Sequence, residues 1–173
     1  MTVIYIGGKA QHGKDTTAAF LQSELEKKGK RTLIAHYGDF VKFVAEKWQG
    51  WDGRKDEHGR RLLQRVGTDV IRNRDPEFWV RFMRNMVYFF GNDYDYLLIP
   101  DCRFPNEIWW APGVYIRVER PNFDNGLTPE AQAHESETAL DYVDEDFRFV
   151  NDGSLSDLRD TCAKWVAQEV ADK

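Results

Sequence analysis

Residues 8–16 limit the fold of this chain more than any other part of the sequence. Their run, Gly-Lys-Ala-Gln-His-Gly-Lys-Asp-Thr, has the spacing GxxxxGK. It follows Val3-Ile4-Tyr5-Ile6, an unbroken apolar run typical of a buried central strand, and it precedes a helical pattern over 16–28. Glycines at these positions let backbone N–H groups converge where a helix begins. The run therefore predicts a phosphate-binding loop between a strand and a helix, whereas a plain strand–helix turn would need no lysine.

The side chains of this loop predict a nucleoside triphosphate as ligand. Lys14 has the length and charge to reach the β- and γ-phosphates. Asp15 stands where a hydroxyl that binds Mg²⁺ is usual, and it could hold the metal, accept a proton or only favour the helix N-terminus. The residues predicted to contact ATP in this region are Gly8, Gln11, His12, Gly13, Lys14, Thr16 and Thr17.

Apolar runs alternate with amphipathic runs along the chain, which is typical of an α/β fold with a parallel sheet covered by helices. We predict five strands, at Val3–Ile6, Thr32–Ala35, Tyr96–Ile99, Val114–Val118 and Phe147–Val150. We predict helices at 16–28, 40–48, 62–74, 77–90 and 155–170. Two stretches rich in turn residues, 51–59 and 121–133, are predicted to be long loops, either functional lids or disordered segments.

Asp101 and Arg103 follow the third predicted strand, at the edge where open α/β sheets bind ligands. An acid in this place suits a Mg²⁺ shell, and an arginine two residues later can grip a phosphate with two hydrogen bonds. Arg103 could instead pair with Asp101 or Glu107. Together with Asp15, Asp101 is the predicted metal ligand.

Arg117 and Arg120 lie where the fourth strand opens into a Pro/Asn/Gly loop, which suits a lid closing over phosphates. After that loop, Ser136 could either cap a helix or bind a ligand. Phe40 and Trp79 are predicted to stack on the acceptor base. The turn 151–154 could contact the base of ATP or only connect strand and helix. Asn151 and Gly153 are the residues of this turn that we predict to contact ATP.

Composition excludes several classes of protein. Apolar residues make up 42% of the 173 residues and charged residues 31%, which argues against disorder. A net charge of −5 argues against a nucleic acid polymer as partner. The sequence has no 18-residue apolar run and no signal-peptide pattern, so we expect no membrane partner and a cytoplasmic location. Two cysteines sixty residues apart predict neither a disulfide framework nor a zinc site.

Five motifs together resemble the bacteriophage deoxynucleoside monophosphate kinases, within the adenylate-kinase-like nucleoside monophosphate kinases. The matching segments are Gly13-Lys14-Asp15-Thr16, the run 63–72 with the pattern Leu-Gln-x-x-Gly-Thr-Asp-x-x-Arg, Asp101-Cys102-Arg103-Phe104-Pro105-Asn106-Glu107, His134-Glu135-Ser136-Glu137 and Asn151-Asp152-Gly153. The resemblance spans nearly the whole chain. Tyr37–Lys42 follows the family pattern only loosely, so the accepted base is the least determined property.

The resemblance implies a kinase that moves the γ-phosphate of ATP to a deoxynucleoside monophosphate with Mg²⁺. It implies one domain, residues 1–173, with a three-layer fold of five parallel strands with helices on both faces, an acceptor-binding helical insert (about 37–91) and a lid (about 119–137). Lys14, Asp15, Arg103, Arg117 and Arg120 are then the predicted catalytic residues. The predicted acceptor site comprises Phe40, Lys42, Gly67, Thr68, Asp69, Arg72, Trp79, Arg103, Glu107, His134 and Glu137. We also predict a homodimer and, for a phage-encoded protein, a location in the host cytoplasm.

Two rival hypotheses keep the phosphate-binding loop. One is a kinase of another small phosphorylated metabolite, with a dephospho-coenzyme-A-like or phosphomevalonate-like acceptor. The other is a module that senses nucleotides without phosphoryl transfer. The arginines around the predicted lid argue against the sensing module, because ATP binding alone needs no second set of cations.

Overall fold

The computed structural model describes residues 1–171 and shows a five-stranded, all-parallel sheet. The strands are β1 (Thr2–Gly7), β2 (Thr32–Ile34), β3 (Tyr96–Cys102), β4 (Gly113–Glu119) and β5 (Phe147–Val150). Their order across the sheet is β2-β3-β1-β4-β5, with Ile4 opposite both Leu98 and Val114. The α/β fold and all five predicted strands are therefore confirmed.

The helices differ from the sequence prediction mainly at their ends. They are α1 (Lys14–Lys27), α2 (Tyr37–Gln49), α3 (Glu57–Gln64), α4 (Phe78–Phe90), α5 (Pro129–Ala133), α6 (Glu135–Thr138) and α7 (Leu155–Ala171), with 3₁₀ turns at Gly91–Asp93 and Pro105–Glu107. In the described part of the chain, no helix is long and apolar enough to cross a membrane. Both cysteines are free and buried.

Two predicted loops contain helices because capping residues start them. Asp56 accepts a hydrogen bond from Gly59 N (2.8 Å), so α3 begins inside the predicted loop 51–59. Thr128 caps α5 in the same way, inside the predicted loop 121–133. The single helix predicted over 62–74 is wrong as well, because α3 continues as a π-helix, Arg65–Arg72. A π-helix in this place often marks a functional segment.

One face of the sheet packs on α1 and α7. Ile4, Leu98 and Ile116 point to this face and are completely buried against apolar side chains of the two helices. The other face, with Tyr5 and Tyr115, is covered by the neighbouring loops, in which Trp110 contacts Tyr5 edge to face. Because β1 pairs parallel with both β3 and β4, the carboxyl ends of these strands lie at one edge of the sheet.

The chain divides into two compact units. The first comprises Met1–Ala35 and the chain from Gly91 onward, and it contains the whole sheet. The second, His36–Phe90, is helical and has its own small core around Ala45, Trp51 and Val66. The bounds of the second unit are close to the segment 37–91 for which we predict acceptor binding, and that role stays a prediction.

Candidate active site

The loop between β1 and α1 needs glycine at both of its ends. Gly8 has φ +141°, and a Cβ there would lie 2.2 Å from the carbonyl oxygen of Val118. Gly13 has φ +100°, and its Cβ would lie 2.6 Å from Nδ2 of Asn151, which also donates to His12 O (3.0 Å). Gly13 is the N-cap of α1 and has no side chain to accept from the first amides of the helix. Those amides therefore face an anion-binding position.

Lys14 lies inside this loop and is only 7% exposed. Its Nζ donates to the carbonyl oxygens of Gly8 (2.7 Å) and Lys9 (2.8 Å). Burial lowers the pKa of Lys14 to about 8, and the nearby Arg103 also lowers it. The carboxylates of Glu137, Asp15 and Asp101 act in the opposite direction on this pKa.

Two of these carboxylates are the predicted metal ligands. Asp15 lies in the first turn of α1, and Asp101 lies near the end of β3, so two different elements place negative charge around Lys14. Within residues 1–171, no group of three or more His, Cys, Asp or Glu is arranged to hold a metal. A Mg²⁺ ion that uses one or two carboxylates together with phosphate oxygens and water fits this donor set.

Arg103 follows β3 and turns toward the lid segment. Its Nη1 donates to Ser136 O (3.1 Å) and forms an ion pair with Glu137. Burial alone would lower the pKa of Arg103, but the carboxylates around it raise that pKa overall. The carboxylate of Glu137 pairs directly with this guanidinium, and the charges of Asp101 and Glu107, the partners considered from sequence, also act on it.

Glu107 has a structural contact in place of the predicted acceptor contact. It is 2% exposed, and its Oε2 accepts from the amides of Arg103 (2.6 Å) and Phe104 (3.0 Å). These two bonds hold the chain that leaves β3 in a tight turn. The structure thereby contradicts direct access of Glu107 to a ligand, because its carboxylate is enclosed by backbone.

Arg117 is anchored on the segment that follows α6. Its Nε donates to Glu145 (2.8 Å) and its Nη2 to Leu140 O (2.8 Å), and the residue is 8% exposed. Three acceptors, including Val143 O, therefore hold this guanidinium near the end of β4. Its catalytic role stays a prediction.

Arg120 begins the predicted lid and lies against the phosphate-binding loop. Its guanidinium stacks on Phe123, with Cζ 3.9 Å from the ring centre, and its amide donates to Nδ1 of His12 (3.2 Å). Gln11 donates to Asn125 O (2.7 Å). Burial, followed by the charge of Lys14, lowers the pKa of His12, which keeps its ring neutral and able to accept.

The structure gives the surroundings of three further residues, His134, Thr17 and Ser154. His134 is the N-cap of α6, with Nδ1 accepting from Ser136 N (3.2 Å), so the capping considered for Ser136 belongs to His134. Thr17 is completely buried and its Oγ1 has no hydrogen-bond partner among the described residues, so its contact with ATP stays a prediction. Ser154 Oγ accepts from Asp157 N (3.3 Å), so the turn next to Gly153 caps the first turn of α7.

In the second unit, Trp79 belongs to the core and not to a stacking surface. It is 2% exposed, and its Nε1 donates to Gly67 O (3.0 Å) in the π-helix. Stacking of Trp79 on an acceptor base is therefore contradicted, because the indole is enclosed. The ring of Phe40 lies 4.1 Å from that of Phe82, and Lys42 pairs with Asp39 (2.6 Å).

The remaining acceptor residues predicted in this unit lie along the π-helix and differ in exposure. Thr68 is 7% exposed and Arg72 is 8% exposed, whereas Asp69 faces solvent. Nη1 of Arg72 donates to Pro76 O (3.3 Å), which closes the turn after the π-helix. Binding of an acceptor by these residues stays a prediction.

A cavity of about 570 Å³ opens in the first unit between the phosphate-binding loop, the end of β4 and the segment 136–145. Lys9 on its wall was not among the predicted site residues. Lys9 Nζ donates to Glu137 O (2.6 Å) and pairs with Asp141. The charge of Lys9 within the loop was the only sequence signal for this contact, because its partners lie far along the chain.

Comparison with known proteins places these features in a family. A family model described as deoxynucleotide monophosphate kinase matches residues 37–162. Two proteins named deoxynucleotide monophosphate kinase, from Enterobacteria phage T4 and Escherichia phage RB69, are 36% and 35% identical over 104 residues. Each match covers 57% of this chain and 41% of the relative, so the chain matches about two fifths of the length of these relatives.

Solved structures support the fold alone. A dephospho-CoA kinase from Campylobacter jejuni is 15% identical with a TM-score of 0.53, over 96% of both chains. A shikimate kinase from Aquifex aeolicus is 12% identical with a TM-score of 0.53, over 98% of this chain and 99% of that one. A sugar kinase from Janibacter sp. is 12% identical with a TM-score of 0.56, over 96% and 95%. With a kinase fold around its phosphate-binding loop and a family match from 37 to 162, the chain belongs to the deoxynucleotide monophosphate kinase family.

Proposed function

We propose that this protein transfers the γ-phosphoryl group of ATP to a deoxynucleoside monophosphate. The observation that carries the proposal is the buried Lys14 inside a loop of backbone amides, with Arg103 and two carboxylates within electrostatic reach. Phosphoryl transfer depends mainly on positioning and on neutralising charge, and this arrangement can supply both. Membership of the family supports the choice of acceptor.

Each residue has a role in this proposal. Lys14 and the first amides of α1 hold the phosphates of ATP, and Arg103 neutralises the transferring group. The acceptor phosphate oxygen forms a bond to the γ-phosphorus, and the bond to the ADP oxygen breaks, without an enzyme-bound intermediate. Asp15 and Asp101 would hold Mg²⁺, which offsets charge on the phosphates when it is bound.

Arg120 and the turn at Asn151 are proposed to complete the donor site, and the second unit is proposed to bind the acceptor. Arg120 supports this role because its guanidinium stacks on Phe123 beside the phosphate-binding loop. Asn151 supports it because its side chain holds the loop at His12. A homodimer and a location in the host cytoplasm stay predictions.

An ADP-release assay with Mg²⁺ tests the proposal. ATP is offered with dAMP, dGMP, dCMP, dTMP or modified-base monophosphates, and with dephospho-coenzyme A and phosphomevalonate as rival acceptors. We expect ADP release to depend on at least one deoxynucleoside monophosphate. Release with a rival acceptor alone would change the assigned substrate. ATP binding without ADP release for any acceptor would indicate a sensing module.

A further inference from the structure

The carboxylate of Glu137 contacts groups that could bind a phosphate. Its Oε2 accepts from the amide of Ala10 in the phosphate-binding loop (2.9 Å), and its Oε1 pairs with Arg103. The side chain is 6% exposed, and its charge also acts on Lys14. A backbone amide, a guanidinium and an ammonium around one anion are the donors that bind phosphoryl oxygens.

The backbone around Glu137 is attached to the same loop and arginine. Lys9 Nζ donates to Glu137 O (2.6 Å), and Arg103 Nη1 donates to Ser136 O (3.1 Å). Lys9 also pairs with Asp141, beyond α6. The segment 136–141 is therefore held on the phosphate-binding loop by charged and polar contacts, which can exchange for contacts with another anion.

We propose that Glu137 is an internal competitor for the γ-phosphate of ATP, so that ATP must displace its carboxylate from Ala10 and Arg103. This inference rests on the proposed function, because it assumes that ATP enters this loop. Two anions cannot share the amide of Ala10, and a carboxylate left beside a triphosphate would repel it. Displacement of Glu137 removes two of the contacts that hold the segment 136–141 on the phosphate-binding loop, so arrival of the triphosphate loosens this segment.

The competition should affect ATP and ADP differently, because the amides of the loop lie in two separate parts of it. The amides that begin α1 follow Gly13, whereas the amide of Ala10 lies in the other arm of the loop. We expect ADP, which is shorter by one phosphoryl group, to use the amides of α1 without reaching Ala10. Glu137 therefore weakens the binding of ATP more than the binding of ADP, because only the γ-phosphate of ATP must occupy the position of the carboxylate.

Calorimetric titration with AMP-PNP and with ADP, both with Mg²⁺, tests this competition. We expect Glu137→Gln to lower the Kd for AMP-PNP about tenfold, a typical coupling between two sites, and to leave the Kd for ADP nearly unchanged. Glu137→Asp keeps the charge and should not tighten AMP-PNP. Glu135→Gln is the matched control, because Glu135 lies on the same helix and is exposed. Equal or weaker AMP-PNP binding by Glu137→Gln would overturn the inference.

Hydrogen exchange of the unmodified protein tests the same inference without a substitution. AMP-PNP should increase amide exchange over 134–141 relative to the free protein, and ADP should not, because only the triphosphate displaces Glu137. Unchanged or slower exchange with AMP-PNP would overturn the inference. A protein that binds neither nucleotide would instead refute the proposed function, so the two failures are distinguishable.

Discussion

The two compact units of this chain obtain their stability in different ways. The first unit surrounds a sheet whose central residues, such as Ile4 and Leu98, are completely buried. The second, His36–Phe90, has a small core and leaves large aromatic side chains in solvent, including Trp48 (76% exposed) and Tyr88 (81% exposed). Polar substitutions at the edge of the sheet should therefore change chemistry and leave the fold intact, whereas single truncations in the second unit should threaten its fold.

The largest effect is expected in the second unit, for Trp79→Ala. This change removes a side chain that is 2% exposed, together with its bond to Gly67 O, and should lower the free energy of unfolding by about 3–5 kcal/mol. Urea unfolding measures it. Tyr88→Ala on the same helix is the control and should change stability by less than about 0.5 kcal/mol. Equal effects of the two variants would show that the buried indole of Trp79 does not stabilise this unit.

Lys14→Met tests the first unit and should lower turnover about 10²–10³-fold, the usual cost of losing one charge-stabilising group. Burial lowers the pKa of Lys14 to about 8 in the folded protein, whereas the unfolded chain keeps the ordinary lysine pKa. The buried ammonium group therefore lowers the stability of the folded protein at pH 7. Removal of this charge should therefore leave the melting temperature at pH 7 unchanged or raise it. Lys27→Met, at the exposed end of α1, is the control for both measurements. A lower melting temperature for Lys14→Met would contradict the separation of chemistry from folding in this unit.

The smallest effect is expected for Gly13→Ala, which should weaken AMP-PNP binding about tenfold, or about 1.4 kcal/mol. Gly13 has a left-handed backbone conformation, which alanine adopts only with strain. The added Cβ would also lie 2.6 Å from the side-chain amide nitrogen of Asn151, so the loop must shift. Gly126→Ala is the matched control, because Gly126 also has positive φ (+65°) but no atom within 4 Å of its Cβ. Binding should be unaffected by Gly126→Ala. If both variants bind AMP-PNP normally, the loop geometry does not depend on the contact with Asn151.

Local pattern was sufficient for the sheet but not for every helix. The five strands are short apolar runs between turn residues. A run of this kind has few alternatives to a strand once one or both faces of the sheet are buried. The segment 62–74 shows where local pattern is insufficient. Its apolar spacing fits an α-helix, yet Arg65–Arg72 adopts a π-helix in which Gly67 O accepts from Trp79. That bond joins residues twelve positions apart, so no helical periodicity encodes it.

The sequence by itself determined the phosphate-binding loop, because two glycines and a lysine at fixed spacing between a strand and a helix form it locally. Only the tertiary structure decided which charges meet around it. Arg103 pairs with Glu137, and Arg117 with Glu145, across 34 and 28 positions of sequence. Such partners meet because parallel strands bring their carboxyl ends to one edge of the sheet, and the chain that crosses this edge then supplies the carboxylates.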